Sequence, residues 1–146
     1  MSTYDEEVRE ALASKFRLGE LRDIGGSELV LTPLSDGFPV RGSKIDWDQV
    51  AGAVGRATDG TDEVADFIAF FDEVRQRFGL EGNLRYAGDS GTDFALEGTV
   101  DAIRGALPVL FKVPQHHYFT PPDHAWVLCL TMEGDMDFGY RPSASG

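Results

Sequence analysis

The chain has 146 residues, 25 acidic and 13 basic, which give it a net charge of −12. This length suits one globular domain with a sizeable core, and a hydrophobic fraction of 42% excludes a disordered chain. The acidic balance argues against binding to nucleic acid or to an anionic membrane. It favours a basic partner or simply high solubility.

The lack of targeting patterns and the single cysteine bear on the cellular compartment that we expect for the protein. No apolar run approaches the ~20 residues of a membrane span. The N-terminus, MSTYDEEVRE, also lacks the basic-then-apolar order of a signal peptide. The single cysteine, Cys129, excludes an internal disulfide and a multi-cysteine metal site. We therefore expect a cytoplasmic protein without a cofactor, with one domain over residues 1–142 and a frayed tail over 143–146.

The N-terminal part of the chain predicts a helix and then a hairpin. Thr3 and Glu6 have capping-box spacing, and apolar residues recur every four positions, which predicts a helix over residues 4–17. Residues 27–42 (SELVLTPLSDGFPVRG) alternate apolar with polar side chains before the turn dipeptide Asp36-Gly37. We therefore predict a hairpin there, with its two prolines confining it to an edge or limiting its length.

Two further helices are predicted before the middle of the chain. The first begins at Asp46 and is weak, because Gly52 and Gly55 fall inside it. The second, over residues 62–78, has the strongest helical period in the chain. The segment TDGTDE separates the two.

The second half of the chain predicts a hairpin, a helix and three strands. Residues 83–98 (NLRYAGDSGTDFALEG) form the hairpin, and Thr99 caps a helix over 99–111 that Pro108 kinks or ends. The strands are predicted over residues 116–120, 125–132 and 136–142. The middle strand is apolar on both faces, as in a strand covered from both sides. The chain is thus predicted to be an α+β domain, an antiparallel sheet built from hairpins and packed against three to four helices.

The stretch Gly88-Asp89-Ser90-Gly91 is also found around the nucleophile of trypsin-like proteases, but a protease is not predicted. That fold is a double β-barrel much longer than this chain, and its histidine precedes its serine. Here all three histidines follow Ser90, and helices are predicted where a barrel requires strands. Gly, Asp and Ser in succession are typical of a turn, so we predict a hairpin turn.

The histidines and the single cysteine are the candidates for metal binding and for thiol chemistry. His116, His117 and His124, with Asp123, offer histidine and carboxylate ligands. Adjacent residues of a strand point to opposite faces, however, so His116 and His117 cannot both bind one ion without a bulge. Surface or interface histidines are the more common case. Cys129 lies between leucines and is predicted to be a core residue.

Three carboxylates, Glu133, Asp135 and Asp137, cluster at the last predicted turn. Ca²⁺ binding is one interpretation, but the twelve-residue EF-hand loop pattern is absent. General acid–base chemistry is another, without a visible nucleophile. A solvated acidic hairpin tip is the default. Gly139, within the following strand, predicts a bulge or a close backbone approach.

The strongest helix combines an apolar face with an acidic one. Asp62, Asp66 and Glu73 share the acidic face, and residues 46–73 hold eight acidic side chains and one basic side chain. Phe70 falls beside this face and is expected to be partly exposed. Carboxylates that steer a basic partner and a ring that anchors it are typical of a protein interface, and a plainly solvated helix face is the equal alternative.

The C-terminal stretch HHYFTPPDHAWVLCLTMEGDMDFGYRP resembles small bacterial immunity-type proteins that accompany toxins. The likeness lies in Tyr118-Phe119, Asp123, Trp126, the alternation through Thr131, Glu133-Gly134-Asp135 and Phe138-Gly139. It implies a non-catalytic cytoplasmic inhibitor of a basic, nuclease-like toxin. The predicted contacts are Asp62, Asp66, Phe70 and Glu73, with Glu133, Asp135 and Asp137 as a second patch if the two lie side by side.

Two other classes of function stay open. A phage-type decoy that inhibits a host or defence nuclease would use the same acidic surface. A small-ligand-binding or enzymatic domain would need convergent polar groups in a pocket, and the sequence does not assemble them.

Overall fold

The computed structural model describes residues 3–42, 44–58 and 61–142. Helices in these ranges are α1 (Thr3–Ala11), α2 (Ala13–Arg17), α3 (Glu28–Gly37), α4 (Glu63–Phe78) and α5 (Val100–Leu110), with a 3₁₀ turn at Trp47–Gln49. The strands are β1 (Leu21–Gly25), β2 (Val40–Arg41), β3 (Lys44–Ile45), β4 (Val54–Ala57), β5 (Asn83–Gly88), β6 (Ala95–Thr99), β7 (His117–Thr120), β8 (Trp126–Leu130) and β9 (Asp135–Tyr140).

Seven of these strands form one sheet in the order β1-β6-β5-β7-β8-β9-β4. Every neighbouring pair is antiparallel, and β5–β6 and β7–β8–β9 are joined as hairpins. The α+β class with an antiparallel sheet built from hairpins is therefore confirmed. β1 and β4 are the two edge strands.

The sheet separates two apolar layers. On one face, α1, α4 and α5 pack over Tyr86, Phe119 and Leu128. On the other, α3 packs over Tyr118 and Cys129. β8 is buried at all five residues and contributes to both layers, so the predicted central strand is confirmed. Cys129 is a core residue, as predicted.

The two best-patterned helices have the predicted ends. The Asp62 carboxylate accepts a hydrogen bond from the Ala65 N–H at 3.0 Å and so caps α4. Thr99 caps α5 in the same way, accepting from the Ala102 N–H. α5 continues through Pro108 to Leu110.

The predicted hairpin over residues 27–42 is wrong, because most of it is helix α3. Val30 and Leu34 stand four residues apart and are both buried on the sheet, a helical spacing that the local alternation concealed. Asp36-Gly37 ends this helix instead of turning a hairpin. Pro33 lies inside α3, where it removes one backbone hydrogen bond.

The predicted helix from Asp46 is also wrong. Only the 3₁₀ turn forms there, and β4 follows it, because pairing with β9 outweighs a weak helical pattern. The first predicted helix is divided in two at Leu12. Gly139 does mark a close approach, since a Cβ there would meet Val50 and Trp47. The predicted tail 143–146 and the side chain of Thr3 lie outside the described residues.

Candidate protein-binding site

β4 is an edge strand with a partner on one side only in the described part of the chain. Val54, Gly55, Arg56 and Ala57 pair with β9 across one side, and Gly55 to Ala57 are exposed. The acidic helix α4 follows β4 in the chain and packs beside it. The predicted contact residues can therefore be placed relative to this strand.

A groove of about 290 Å³ lies between α4 and β4. Asp66 and Glu73 of α4 line it on one side, and Arg56 and Ala57 of β4 line it on the other. Its lining also includes Met136, which is buried. The groove thus joins an apolar floor to a charged rim.

Phe70 is not the partly exposed anchor that its position on α4 suggested. Its side chain is 3% exposed, and its ring packs 6.4 Å from that of Phe67. The aromatic ring belongs to the core and closes the bottom of the groove. A partner can contact its edge there but cannot enclose the ring.

Two of the predicted acidic contacts on α4 already have structural roles. Asp62 caps the helix, as described above. Glu73 accepts hydrogen bonds from Arg56 Nη2 at 2.7 Å to each carboxylate oxygen. This exposed pair holds the one long side chain of β4 against α4, and Asp66 lines the same groove.

The second predicted patch, Glu133, Asp135 and Asp137, lies at the same edge of the sheet as the α4 carboxylates. Its β9 members lie on the opposite face of the sheet from α4. Gly134 O accepts from Thr58 N–H at 2.8 Å, and a Cβ at Gly134 would lie 3.6 Å from the Glu63 carboxylate, so the β8–β9 turn lies beside the start of α4. Within β9, Met136 faces α4, whereas Asp137 pairs with Cys129 on the opposite face. The acidic side chains therefore flank β4 from both faces.

The negative charge of Glu133 at this turn is balanced by a cationic side chain of the same molecule. Its carboxylate accepts from Lys44 Nζ at 2.7 Å, and His116 Nε2 lies 4.0 Å away. The hydrogen bond from Lys44 lowers the pKa of Glu133 to about 2, with its own backbone N–H contributing. Glu133 thus ties the turn to β3.

Asp137 has the opposite electrostatic setting. Burial raises the pKa of its carboxyl to about 6, and the neighbouring charge of Asp135 adds to the rise. A Cβ built at Gly55 would collide with Asp137 Oδ1, so this carboxylate lies over Gly55 in β4. We call β4 together with Asp66, Asp135 and Asp137 the acidic edge.

The Gly88-Asp89-Ser90-Gly91 stretch is the predicted hairpin connection between β5 and β6. Gln115 Oε1 accepts from the backbone N–H of Ser90, Gly91 and Thr92 at 2.8–3.2 Å. Ser90 Oγ lies 3.2 Å from Asp89 Oδ1. The loop is thus held by a buried amide, which no local sequence pattern indicated.

Gln115 also belongs to a buried polar network. Its Nε2 donates to Tyr86 Oη, which lies 2.6 Å from His117 Nδ1. His117 Nε2 donates to the Val113 carbonyl at 3.2 Å, so its Nδ1 accepts from the tyrosine hydroxyl. Burial lowers the pKa of His117 to about 4, and the imidazole is neutral at pH 7.

The other two histidines do not join this one. His116 Nδ1 accepts from the Met132 N–H at 3.0 Å, and His124 lies in the β7–β8 turn. Among the described residues, no three histidine, cysteine or acidic side chains are grouped as metal ligands. None of the described helices is both long and apolar enough to cross a membrane.

No protein-family model matches the sequence, and no curated protein matches it significantly. The resemblance of residues 116–142 to immunity-type proteins therefore stays a prediction. What the structure contributes is the geometry of the acidic edge, including the roles of Arg56 and Lys44, which the sequence analysis did not single out.

Proposed function

We propose that this chain is a non-catalytic, immunity-type inhibitor that acts in the cytoplasm by binding a basic protein, with a nuclease-like toxin as the favoured class of partner. The observation that supports this most is an edge strand, β4, with carboxylates on both of its faces. Asp66 lies on the α4 face, and Asp135 and Asp137 lie on the other. A basic protein surface approaching this edge would meet negative charge from either side.

Charge supports the encounter as well as the contact. A net charge of −12 steers a cationic partner toward the chain over distances of about one Debye length, ~8 Å at physiological salt. A nuclease surface that binds phosphates is complementary to carboxylates, so an acidic inhibitor occupies it in place of nucleic acid. A phage-type decoy would rely on the same physics and is the alternative within this proposal.

For the ligand-binding or enzymatic alternative, we consider the cavity beside His117. It measures about 370 Å³ and is lined by Glu63, Lys112, His117 and Met132 among others. Both ring nitrogens of His117 are already engaged by Tyr86 and Val113. Gln115 and Thr131, which also line the cavity, are likewise hydrogen-bonded within the protein, and we do not favour this function.

The proposal is tested by binding with matched charge variants. The purified chain is immobilised and exposed to a lysate of the organism that encodes it, and bound protein is eluted with a salt gradient. The test variant carries Asp66→Asn, Asp135→Asn and Asp137→Asn. The control variant carries Glu10→Gln, Glu20→Gln and Glu81→Gln, which remove the same number of charges from exposed positions outside the acidic edge.

We expect a stoichiometric basic protein that elutes with salt, is retained by the control variant and is lost by the test variant. When that protein is purified and mixed with the chain, its own activity should fall in proportion to the amount of chain bound to it. Equal retention by both variants would refute the acidic edge as the binding surface. A partner that turns over a substrate only when the chain is present would contradict the inhibitor role.

A further inference from the structure

The hydrogen-bonding direction of β4 follows from its register with β9. Thr58 N–H donates to Gly134 O at 2.8 Å, one step beyond the pair Ala57↔Asp135. In an antiparallel ladder, residues that bond to the partner strand alternate with residues whose N–H and C=O point away from it. Arg56 therefore bonds to β9, whereas Gly55 and Ala57 direct their N–H and C=O groups to the open side.

The two edges of the sheet are protected to different degrees. Edge strands are commonly shielded by bulges, prolines, lysines or charged side chains. β1 has such features, because its register shifts between Asp23 and Gly25 and it carries Arg22 and Asp23. β4 has a regular register and no proline or lysine, and its one long side chain, Arg56, is held against Glu73.

Charge around β4 indicates what kind of strand would pair with it. Residues of an added strand opposite Gly55 and Ala57 would point to the face that holds Asp137 and Asp135. The added strand would lie two strand spacings, about 10 Å, from β9. A lysine or arginine side chain can largely bridge this distance, because it passes over the small residues Gly55 and Ala57. The Asp137 carboxylate already lies over Gly55, on this path.

We propose that the basic partner binds by adding an extended, antiparallel strand to β4, with basic side chains opposite Gly55 and Ala57. This inference rests on the proposed function and specifies how the partner is held. Backbone hydrogen bonds to the two residues would supply affinity, and the carboxylates would select a basic segment. A second copy of this chain is a poor occupant, because each copy carries a net charge of −12.

The test uses a synthetic probe peptide of alternating lysine and valine, with blocked ends, and the ¹⁵N-labelled chain. We expect slower hydrogen exchange at the Gly55 and Ala57 amides, by about fivefold or more at saturating peptide. We also expect a fall in the pKa of Asp137 on binding. Peptides with glutamate in place of lysine should not bind.

Two backbone changes separate strand addition from simple charge attraction. N-methylation of the lysines removes the donors that would face β4 and should abolish binding, whereas N-methylation of the valines should spare it. In the chain, Ala57→Pro removes an outward donor without removing a bond to β9 and should weaken binding by about fivefold. Far-UV circular dichroism verifies that this variant folds, and the methylated peptides test the same bonds in the unaltered chain.

Each other outcome would overturn the inference. Binding that is insensitive to N-methylation, without protection of Gly55 and Ala57, would refute strand addition and leave charge-driven binding at the acidic edge standing. No binding at millimolar peptide would also refute it, while the lysate experiment still decides the proposed function. Protection of the same amides by self-association, without peptide, would assign the edge to a second copy.

Discussion

The carboxylate of Asp137 lies directly over Gly55 of the neighbouring strand, where any larger residue would have a Cβ. A half-buried acid is thereby accommodated at the sheet edge because its cross-strand partner has no side chain. Burying this carboxylate costs stability, and the same carboxylate gives the sheet edge a negative charge that attracts cations. Two predictions follow from this pair.

The first concerns the space over Gly55. Gly55→Ala should destabilise the fold by about 1 kcal/mol, since the added methyl group displaces the Asp137 carboxylate, which can rotate only partly away. Urea denaturation measures the change. In an Asp137→Ala background the same substitution should cost much less, and a cost that is equal in both backgrounds would show that the clash is not with Asp137.

The second concerns the pH dependence contributed by Asp137. Its folded-state pKa of about 6 lies above the ordinary value of 3.8. Between these values the folded chain holds the proton more readily than the unfolded chain, so this contribution to stability falls as pH rises. Because the side chain is only half-buried, we expect about 1 kcal/mol after solvent screening.

Asp137→Asn should therefore stabilise the chain at pH 7 by about that amount and make little difference at pH 4. The measurement is the difference in unfolding free energy between variant and parent at the two pH values. A variant that is less stable than the parent at pH 7 would show that the carboxylate contributes favourable interactions there instead of a burial cost.

His117 should contribute a pH dependence of the opposite sign. Burial lowers its folded-state pKa to about 4 from 6.5. As pH falls through this window, the unfolded chain gains the proton first, so stability decreases toward acid by up to about 3 kcal/mol. NMR titration of the imidazole should show it neutral down to about pH 4, and His117→Gln should reduce the loss of stability between pH 7 and pH 4.5.

Sequence pattern correctly predicted the helices and hairpins that are marked by capping residues, apolar periodicity or turn residues close together in the chain. α4 has a capping carboxylate at Asp62 and a clear apolar period, and the hairpin around Ser90 has a run of turn residues. α3 was missed because Asp36-Gly37 is typical of a turn and Pro33 disfavours a helix. Burial of Val30 and Leu34 against the sheet outweighs both, and that contact depends on strands far along the chain.

The candidate site was predictable in composition but not in arrangement. The acidic character of residues 62–73 is visible in the sequence, whereas β4 exists only because it pairs with β9, about eighty residues later. A helical wheel placed Phe70 near the acidic face, but the ring packs into the core beside Met136 of β9, a contact that the helix alone does not reveal. Neutralisation of Glu73 and Glu133 by Arg56 and Lys44 likewise depends on tertiary contacts.

Gln115 should control the order of the loop around Ser90. Gln115→Ala leaves three backbone N–H groups without their acceptor and should cost about 2–4 kcal/mol. Gln115→Glu keeps an acceptor oxygen and should restore part of that stability. Hydrogen exchange at Ser90, Gly91 and Thr92 is the direct measurement, and unchanged protection in the alanine variant would contradict the role assigned to this amide.

His124 stores strain in the β7–β8 turn. It has a φ of 56°, in the left-handed region that residues with a Cβ rarely adopt, and its N–H donates to the Pro121 carbonyl at 2.9 Å to close the turn. Its buried Nε2 has no hydrogen-bond partner within the described residues. Both features cost stability.

His124→Asn should therefore be more stable than His124→Ala by about 0.5–1 kcal/mol, because asparagine tolerates the left-handed region better than alanine. Both substitutions remove the unpartnered nitrogen, so the difference between them isolates the backbone strain. Thermal unfolding of the two variants measures it. Equal stabilities would mean that the turn relaxes out of the left-handed conformation once the imidazole is gone, and that the histidine ring itself holds the backbone there.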